Sequence, residues 1–266
     1  MRRPATSRAV SLAAAALATA LFLAPFVIES ADGEQTQRGD VISWLKGEPR
    51  PHDLPRDRLA PIAIHLEGGL RTANGASLPR VTRLEIGLPP LGVLSTRGLP
   101  ICPARRIRNL RSREALAACR GALVGRGRLS STVALPNQAP FPVAARLLAF
   151  NSRIGKRRAV LLHAATANPP TSSVLPMLLH RGSGRLGTEL VGRVSASLGP
   201  WPRLRRYSIT LFRRYRYRRE LRSYLSGSCP VPPTLTAAPF SFARASYTFA
   251  EGGQISISIP RFCRAR

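Results

Sequence analysis

The chain has 266 residues and a formal net charge of +28, and only Lys46 and Lys156 of its 41 basic residues are lysine. This length is ample for one large hydrophobic core, and no segment after residue 30 is apolar enough to cross a membrane as a helix. A surface this basic attracts anions of every kind, including acidic wall polymers, anionic lipid head groups and nucleic acid. The preference for arginine is typical of a GC-rich genome, so by itself it does not indicate a guanidinium-specific function.

The N-terminus predicts export. Arg2, Arg3 and Arg8 precede the apolar run 9–28, and a basic start followed by an apolar core is typical of a secretory signal. We expect residues 1–30 to be a signal peptide cut after Ser30, because Pro25 near the end of the run favours cleavage. The alternative is an uncleaved N-terminal membrane anchor, since about 20 apolar residues are long enough to span a bilayer. Either alternative places the protein outside the cytoplasm, secreted or attached to the cell envelope.

Residues 31–58 are polar and are interrupted by Pro49, Pro51 and Pro55. This composition predicts an irregular lead-in or tether, with a short element possible at 41–45. The remainder, 59–266, is predicted to be a single β-sandwich domain.

From residue 61 onward, short apolar segments bounded by Gly, Pro or Asn predict strands. They are the segments 62–66, 81–88, 91–95, 121–135, 143–150, 159–166, 173–180, 186–197, 240–249 and 255–259. The last is the clearest, because isoleucines and serines alternate in it. One short helix is predicted over 113–120, with Ser112 as its N-cap. The fold class is therefore all-β: an antiparallel β-sandwich, Ig-like or jelly-roll-like, with one short helix and an N-terminal export helix.

The four cysteines predict disulfides in an exported protein. Three connectivities are possible, and we favour the sequence-local one, Cys102–Cys119 with Cys229–Cys263. Four unpaired buried thiols are the alternative. No cysteine pair has zinc-ligand spacing and no histidine lies beside a cysteine, so we expect no metal and no cofactor.

The segment 203–222 contains nine arginines and three of the five tyrosines. Read as a strand, it places most tyrosines on the face of Ile209 and Leu211 and most arginines on the other. The first interpretation is a core face and a solvated basic face, which makes nucleic acid an unlikely partner. The functional interpretation is a row of guanidiniums that bind carboxylates or phosphates of a polymer. Its members are Arg206, Arg214, Arg216 and Arg218.

No catalytic motif stands out, and we assign no catalytic residue. After residue 58 only six glutamates and no aspartate remain, each isolated in the sequence. The alternative to a binding or structural module is a hydrolase of an envelope polymer, with a Glu/His pair assembled by the fold. Such an enzyme needs a pocket that contains at least two of Glu67, Glu85, Glu189, His163 and His180.

The cysteines belong to a wider pattern. Its parts are Leu99-Pro100-Ile-Cys102-Pro103, Ala118-Cys119 leading to Val124-Gly125-Arg-Gly127, Ser228-Cys229-Pro230 and Phe262-Cys263. This pattern, over residues 60–263, resembles a group of secreted, disulfide-bonded β proteins of GC-rich actinobacteria. The function of that group is uncharacterised, so the resemblance implies export and fold and carries over no site residue.

Overall fold

Strands dominate the chain that the computed structural model describes, which comprises residues 34–182, 184–194 and 201–266. The first nine strands are β1 (Glu34–Arg38), β2 (Val41–Arg50), β3 (Asp53–Leu54), β4 (Ala60–Pro61), β5 (Ala63–Thr72), β6 (Val81–Leu88), β7 (Gly92–Leu94), β8 (Leu123–Val133) and β9 (Phe141–Ile154). The other nine are β10 (Arg157–Thr166), β11 (Ser172–Arg181), β12 (Thr188–Arg193), β13 (Pro202–Leu211), β14 (Arg214–Tyr217), β15 (Glu220–Ser223), β16 (Leu225–Gly227), β17 (Ala237–Phe249) and β18 (Gln254–Ala265). One α-helix, α1 (Ser112–Ala118), lies between two single-turn 3-10 helices, Ala104–Arg106 and Arg120–Ala122. The predicted export segment, residues 1–30, lies outside the described residues.

Thirteen strands form one sheet in the order β1-β2-β5-β13-β8-β9-β10-β11-β12-β6-β17-β18-β3. Neighbouring strands are antiparallel except β3 and β18, which are parallel. The sheet curls until its two ends meet: the Arg38 side chain on β1 donates to the Gln254 carbonyl on β18, and Arg261 Nε on β18 donates to Gly47 O on β2 at 2.7 Å. The two halves of the curl therefore face each other.

The core lies inside this curl. Along β18, Ile255, Ile257 and Ile259 are buried while Ser256 and Ser258 are exposed, so the predicted alternation is confirmed. Tyr207 on β13 and Tyr247 on β17 meet across the interior, with their hydroxyl oxygens 3.1 Å apart. Desolvation raises the pKa of the Tyr207 phenol to about 12, so both hydroxyls stay protonated and the pair acts as a neutral hydrogen bond.

The all-β class with one short helix is confirmed. The two facing layers, however, are halves of one continuous hydrogen-bonded sheet, because strands β13, β8 and β9 lead without a break from one half towards the other. The helix begins one residue earlier than predicted, and its N-cap is Arg111 rather than Ser112. Glu114 explains this shift, since its carboxylate accepts the Arg111 backbone N–H at 2.8 Å in a capping box.

A second, smaller core lies on the outer face of β9 and β10. There the helical segment 104–122 covers Leu148, Phe150 and Leu161, whose side chains point away from the main core. Within this layer the Cys102–Cys119 disulfide forms, and the Cys229–Cys263 disulfide joins the residues after β16 to β18. The sequence-local connectivity is confirmed, and the two bonds indicate an oxidising compartment.

The prediction of an irregular lead-in over 31–58 is corrected by the structure. Residues 34–50 form β1 and β2, and β2 pairs along its whole length with β5. The polar composition misled because β1 is an exposed edge strand, while Pro49 lies at the end of β2 and costs the ladder little. The sheet therefore begins well before residue 59.

Candidate anion-binding surface

The glutamates after residue 58 are already engaged. After residue 58, four of the six glutamates form ion pairs, which are Glu67–Arg206, Glu85–Arg83, Glu189–Arg244 and Glu220–Arg222. The other two accept backbone N–H groups, Glu114 from Arg111 and Glu251 from Arg80. Most arginines consequently have no carboxylate partner within the described residues, and their charge faces solvent.

Three of these arginines form a group on the outer face of the sheet. Arg126 and Arg128 extend from β8, and Arg146 extends from β9 directly opposite Arg128. All three are exposed and none forms an ion pair within the described ranges. Residues directly opposite on an antiparallel pair have Cβ atoms about 5 Å apart, so two like charges there destabilise the sheet. We call Arg126, Arg128 and Arg146 the central patch.

The floor of the central patch is polar and flat. Ser208 and Thr210 on β13 pair with Arg128 and Arg126, and their side chains line the same shallow depression. Gly127 between the two arginines allows β13 to approach, because a Cβ at this position would lie 1.9 Å from the Ser208 carbonyl oxygen. Hydroxyls and guanidiniums that converge on one face suit an anionic group with several oxygens.

Arg206 lies at the margin of the central patch. Its cross-strand partner is Ser130, so it is a diagonal neighbour of Arg128 on the same face. It differs from the patch members because Glu67 forms an ion pair with it and its guanidinium lies 5.8 Å from the Trp44 ring centre. Part of its charge is therefore already compensated.

The other predicted arginines lie on a separate hairpin formed by β14 and β15, which we call the arginine hairpin. Arg214, Arg216, Arg218 and Leu221 on the hairpin are exposed, as is Phe212 just before it, whereas Ser223 opposite Arg214 is buried. On its inner face, Tyr215 donates to the Arg97 carbonyl at 2.7 Å and holds the hairpin against the preceding loop.

The tip of the arginine hairpin has an unusual backbone. Arg218 and Arg219 have φ angles of +50° and +67°, as the two central residues of a type I′ turn require. Such positions usually hold Asn-Gly, and non-glycine residues there carry a conformational cost. The turn thus keeps two charges at its tip despite this conformational cost.

The predicted alternation between a buried face and an exposed face over 203–222 is confirmed at five positions. Tyr207, Ile209 and Leu211 are buried, whereas Arg214 and Arg216 are exposed. The chain leaves the main sheet after Leu211, so the structure brings Arg214, Arg216 and Arg218 together and separates them from Arg206.

The central patch was missed from sequence. Arg126 and Arg128 show the period-two spacing of one strand face, but Arg146 joins them only through the β8–β9 register. A pairing across 18 residues of sequence is set by the turn and the core, and neither arginine segment indicates it alone.

The residues proposed for a hydrolase do not line a shared cavity. His180 and Glu189 are cross-strand partners, but they lie on the outer face, where Arg244 binds Glu189. Glu67 lies on another part of the sheet, and His163 is covered by the helical segment. Neither the depression at the central patch nor the cavity inside the curl is lined by any of them.

His163 is the one histidine that is fully buried among the described residues. Its Nε2 lies 2.9 Å from the Leu110 carbonyl oxygen, which fits a neutral imidazole that donates this hydrogen bond. Desolvation by burial lowers its pKa below the usual 6.5. The side chain therefore has a structural role beneath the helical segment.

This burial predicts a pH dependence of stability. The unfolded chain binds a proton at His163 more readily than the folded chain, so the free energy of unfolding is highest above about pH 6.5 and falls as the pH is lowered through that value. Urea denaturation between pH 7.5 and 5.5 measures the slope. We expect His163→Gln to reduce the slope, and the exposed His180→Gln serves as the control; a slope unaffected by His163→Gln contradicts the assignment.

Comparisons of the chain with protein-family models, with curated proteins and with solved structures find no match. Within residues 34–182, 184–194 and 201–266, no helix is long and apolar enough to span a membrane. The same residues bring no three His, Cys, Asp or Glu side chains together in a metal-binding group.

Proposed function

We propose that this is an exported cell-envelope protein that binds anionic polymers through its basic outer face and has no catalytic role. One observation carries the proposal: the central patch places Arg128 opposite Arg146 although every glutamate after residue 58 is already engaged. An uncompensated cross-strand pair of cations costs stability, and an external anion that binds both removes that cost.

The geometry favours a polymer over a small anion. The central patch is shallow and open, so it contacts one or two anionic groups from one side and cannot enclose them. The arginine hairpin adds a second cluster on a distinct element. A chain with phosphates or carboxylates along its length can contact both clusters, and linked weak contacts increase the overall affinity. Anionic lipid head groups present a similar array of charges.

The proposed export agrees with this function. The predicted N-terminal segment delivers the domain to the envelope as a secreted protein or as an anchored one. Both disulfides are typical of a protein in an oxidising environment. In that compartment, wall polymers and lipid head groups are the abundant anions, whereas nucleic acid is scarce.

Charge removal tests the proposal. We expect the purified domain to be retained on immobilised polyphosphate and polygalacturonate, and to be released in moderate salt because surface charges are screened. The triple variant Arg126→Gln/Arg128→Gln/Arg146→Gln should bind at least about threefold more weakly, since each exposed ionic contact contributes about 0.2–1 kcal/mol. A second triple variant, Arg214→Gln/Arg216→Gln/Arg218→Gln, measures the contribution of the arginine hairpin.

A matched control distinguishes binding at the central patch from attraction by the total charge of the protein. The triple variant Arg106→Gln/Arg193→Gln/Arg264→Gln removes the same charge from three exposed, dispersed positions. If all three variants weaken binding equally, the protein binds through its total charge and the proposed site is wrong. If the wild-type domain flows through both matrices regardless of salt, the proposed function is wrong.

A further inference from the structure

The interior of the curled sheet contains an apolar cavity of about 190 Å³. Its walls come from eight neighbouring strands, and all but three of the lining residues are apolar. The buried walls include Leu66, Ile86, Leu147, Val160, Met177, Leu190, Ile209 and Leu211. An apolar cavity of about 150 Å³ in a folded protein stays dry and binds benzene, so this space is large enough to hold part of an apolar ligand.

The cavity opens at one end of the sheet. The lining residues at that end are only partly buried at the starts of β11 and β13, at or just after the ends of β8, β10 and β12, and at Arg80 just before β6, whereas Val81 is buried. Ala164, Val194 and Leu204 are among them. Such a shape, apolar at depth and open at one end, admits an elongated apolar group end-on.

Apart from the Tyr207 hydroxyl, which is hydrogen-bonded to Tyr247, polar groups are confined to the rim. The polar lining residues are Arg80, Ser131 and Ser173, and all three are partly exposed. The Glu251 carboxylate accepts the Arg80 backbone N–H at 3.1 Å. The Arg80 guanidinium forms no ion pair or hydrogen bond with the described part of the chain, so its charge is available at the entrance.

We propose that this cavity binds a single-chain acidic amphiphile, with the acyl chain inside the curl and the carboxylate at Arg80. The chain replaces empty space with apolar contacts, while the head group keeps its charge in the solvated rim. This binding site is distinct from the central patch and goes beyond the proposed function. It uses the inner face of β8 and β13, whereas the central patch uses their outer face.

Isothermal titration calorimetry with decanoate, kept below its critical micelle concentration, tests the proposal. We expect saturable binding at one site per chain. Ala164→Phe places a ring in the entrance and should weaken decanoate binding at least tenfold, with a thermal melt confirming that this variant folds. Arg80→Gln should weaken decanoate binding about three- to tenfold and leave binding of the uncharged decanol unchanged. Arg193→Gln is the matched control, because it removes an exposed arginine from the end of β12 without touching the cavity.

The possible results distinguish binding in the cavity from binding on the basic outer face. Absence of saturable decanoate binding by the wild-type chain overturns the proposal, as does unchanged binding by folded Ala164→Phe. Equal affinity for decanoate and decyltrimethylammonium overturns the role of Arg80. The central-patch variant should bind decanoate as tightly as the wild-type chain does. Loss of decanoate binding by this variant would show that decanoate binds the outer face instead. Decanoate binding with no polymer binding would leave the cavity site standing and remove only the proposed function.

Discussion

Replacing both Cys229 and Cys263 with alanine is expected to lower the free energy of unfolding by about 4 kcal/mol. The disulfide closes a loop of 34 residues, and loop-closure entropy in the unfolded chain gives a cost of this size. Cys229 is fully buried and Cys263 nearly so, hence alanine at both positions also leaves a small cavity. The bond joins the residues after β16 to the last long strand, so its loss should loosen that end of the sheet first.

Urea denaturation of the oxidised wild-type chain and the double variant measures this difference. The double variant Cys102→Ala/Cys119→Ala is the comparison, since its loop of 17 residues predicts a smaller loss of about 3 kcal/mol. A larger loss for the 102–119 bond than for the 229–263 bond would contradict the loop-closure explanation and would point to native-state contacts instead.

We expect the second large effect from Phe150→Ala, which should lower the free energy of unfolding by about 3–5 kcal/mol. Phe150 is fully buried on β9, but its side chain belongs to the outer core beneath the helical segment, with Ile107 and Leu161. Removal of the ring leaves a cavity between β9 and a helical segment whose two ends are tied together by the Cys102–Cys119 disulfide, so the site collapses poorly.

Chemical denaturation again provides the measurement, and Phe262→Ala is the control because 67% of that side chain is exposed. We expect the control to change the free energy of unfolding by no more than about 0.5 kcal/mol. If Phe150→Ala is equally mild, the helical segment is not packed on β9 as described, and the outer core does not contribute to stability.

Local sequence pattern was sufficient for the parts of this fold that depend on alternation and turns. β6 has the bounds that were predicted, and β18 shows the predicted Ile/Ser alternation. Pro, Gly and Asn mark strand ends because of their own backbone constraints, so these signals need no tertiary information. The disulfide pairing also followed from proximity in sequence.

The predictions that were wrong concern features that depend on pairing between strands distant in sequence. Only the first half of β2 was predicted, as the possible short element at 41–45, because Lys46 and Glu48 are polar and Pro49 interrupts the segment; the strand nevertheless pairs along its whole length with β5. The Arg-rich segment was read as one strand, but the chain leaves the sheet after Leu211 and returns as a hairpin. Neither the continuous curl nor the interior cavity is visible in any single segment, because both arise from the order of thirteen strands.

The candidate anion-binding surface could likewise be predicted only in part from the sequence. Exposure of Arg214 and Arg216 followed from parity, whereas the central patch requires the register between β8 and β9. Three of the six glutamates after residue 58 are engaged through tertiary contacts, Glu67 with Arg206, Glu189 with Arg244 and Glu251 with Arg80, whereas the other three have partners within three residues in sequence. It is this engagement, more than the net charge, that leaves the guanidiniums of the outer face available to an external anion.

The salt dependence of polymer binding tests the central claim most directly. Affinity for polyphosphate is measured at several salt concentrations for the wild-type chain, the central-patch variant and the dispersed-arginine control. Each phosphate contact contributes about 0.7–0.9 to the slope of log affinity against log salt, so the central-patch variant should lose about two units of slope. The control should keep the wild-type slope. Equal slopes for all three proteins would contradict the claim that this surface is the binding site.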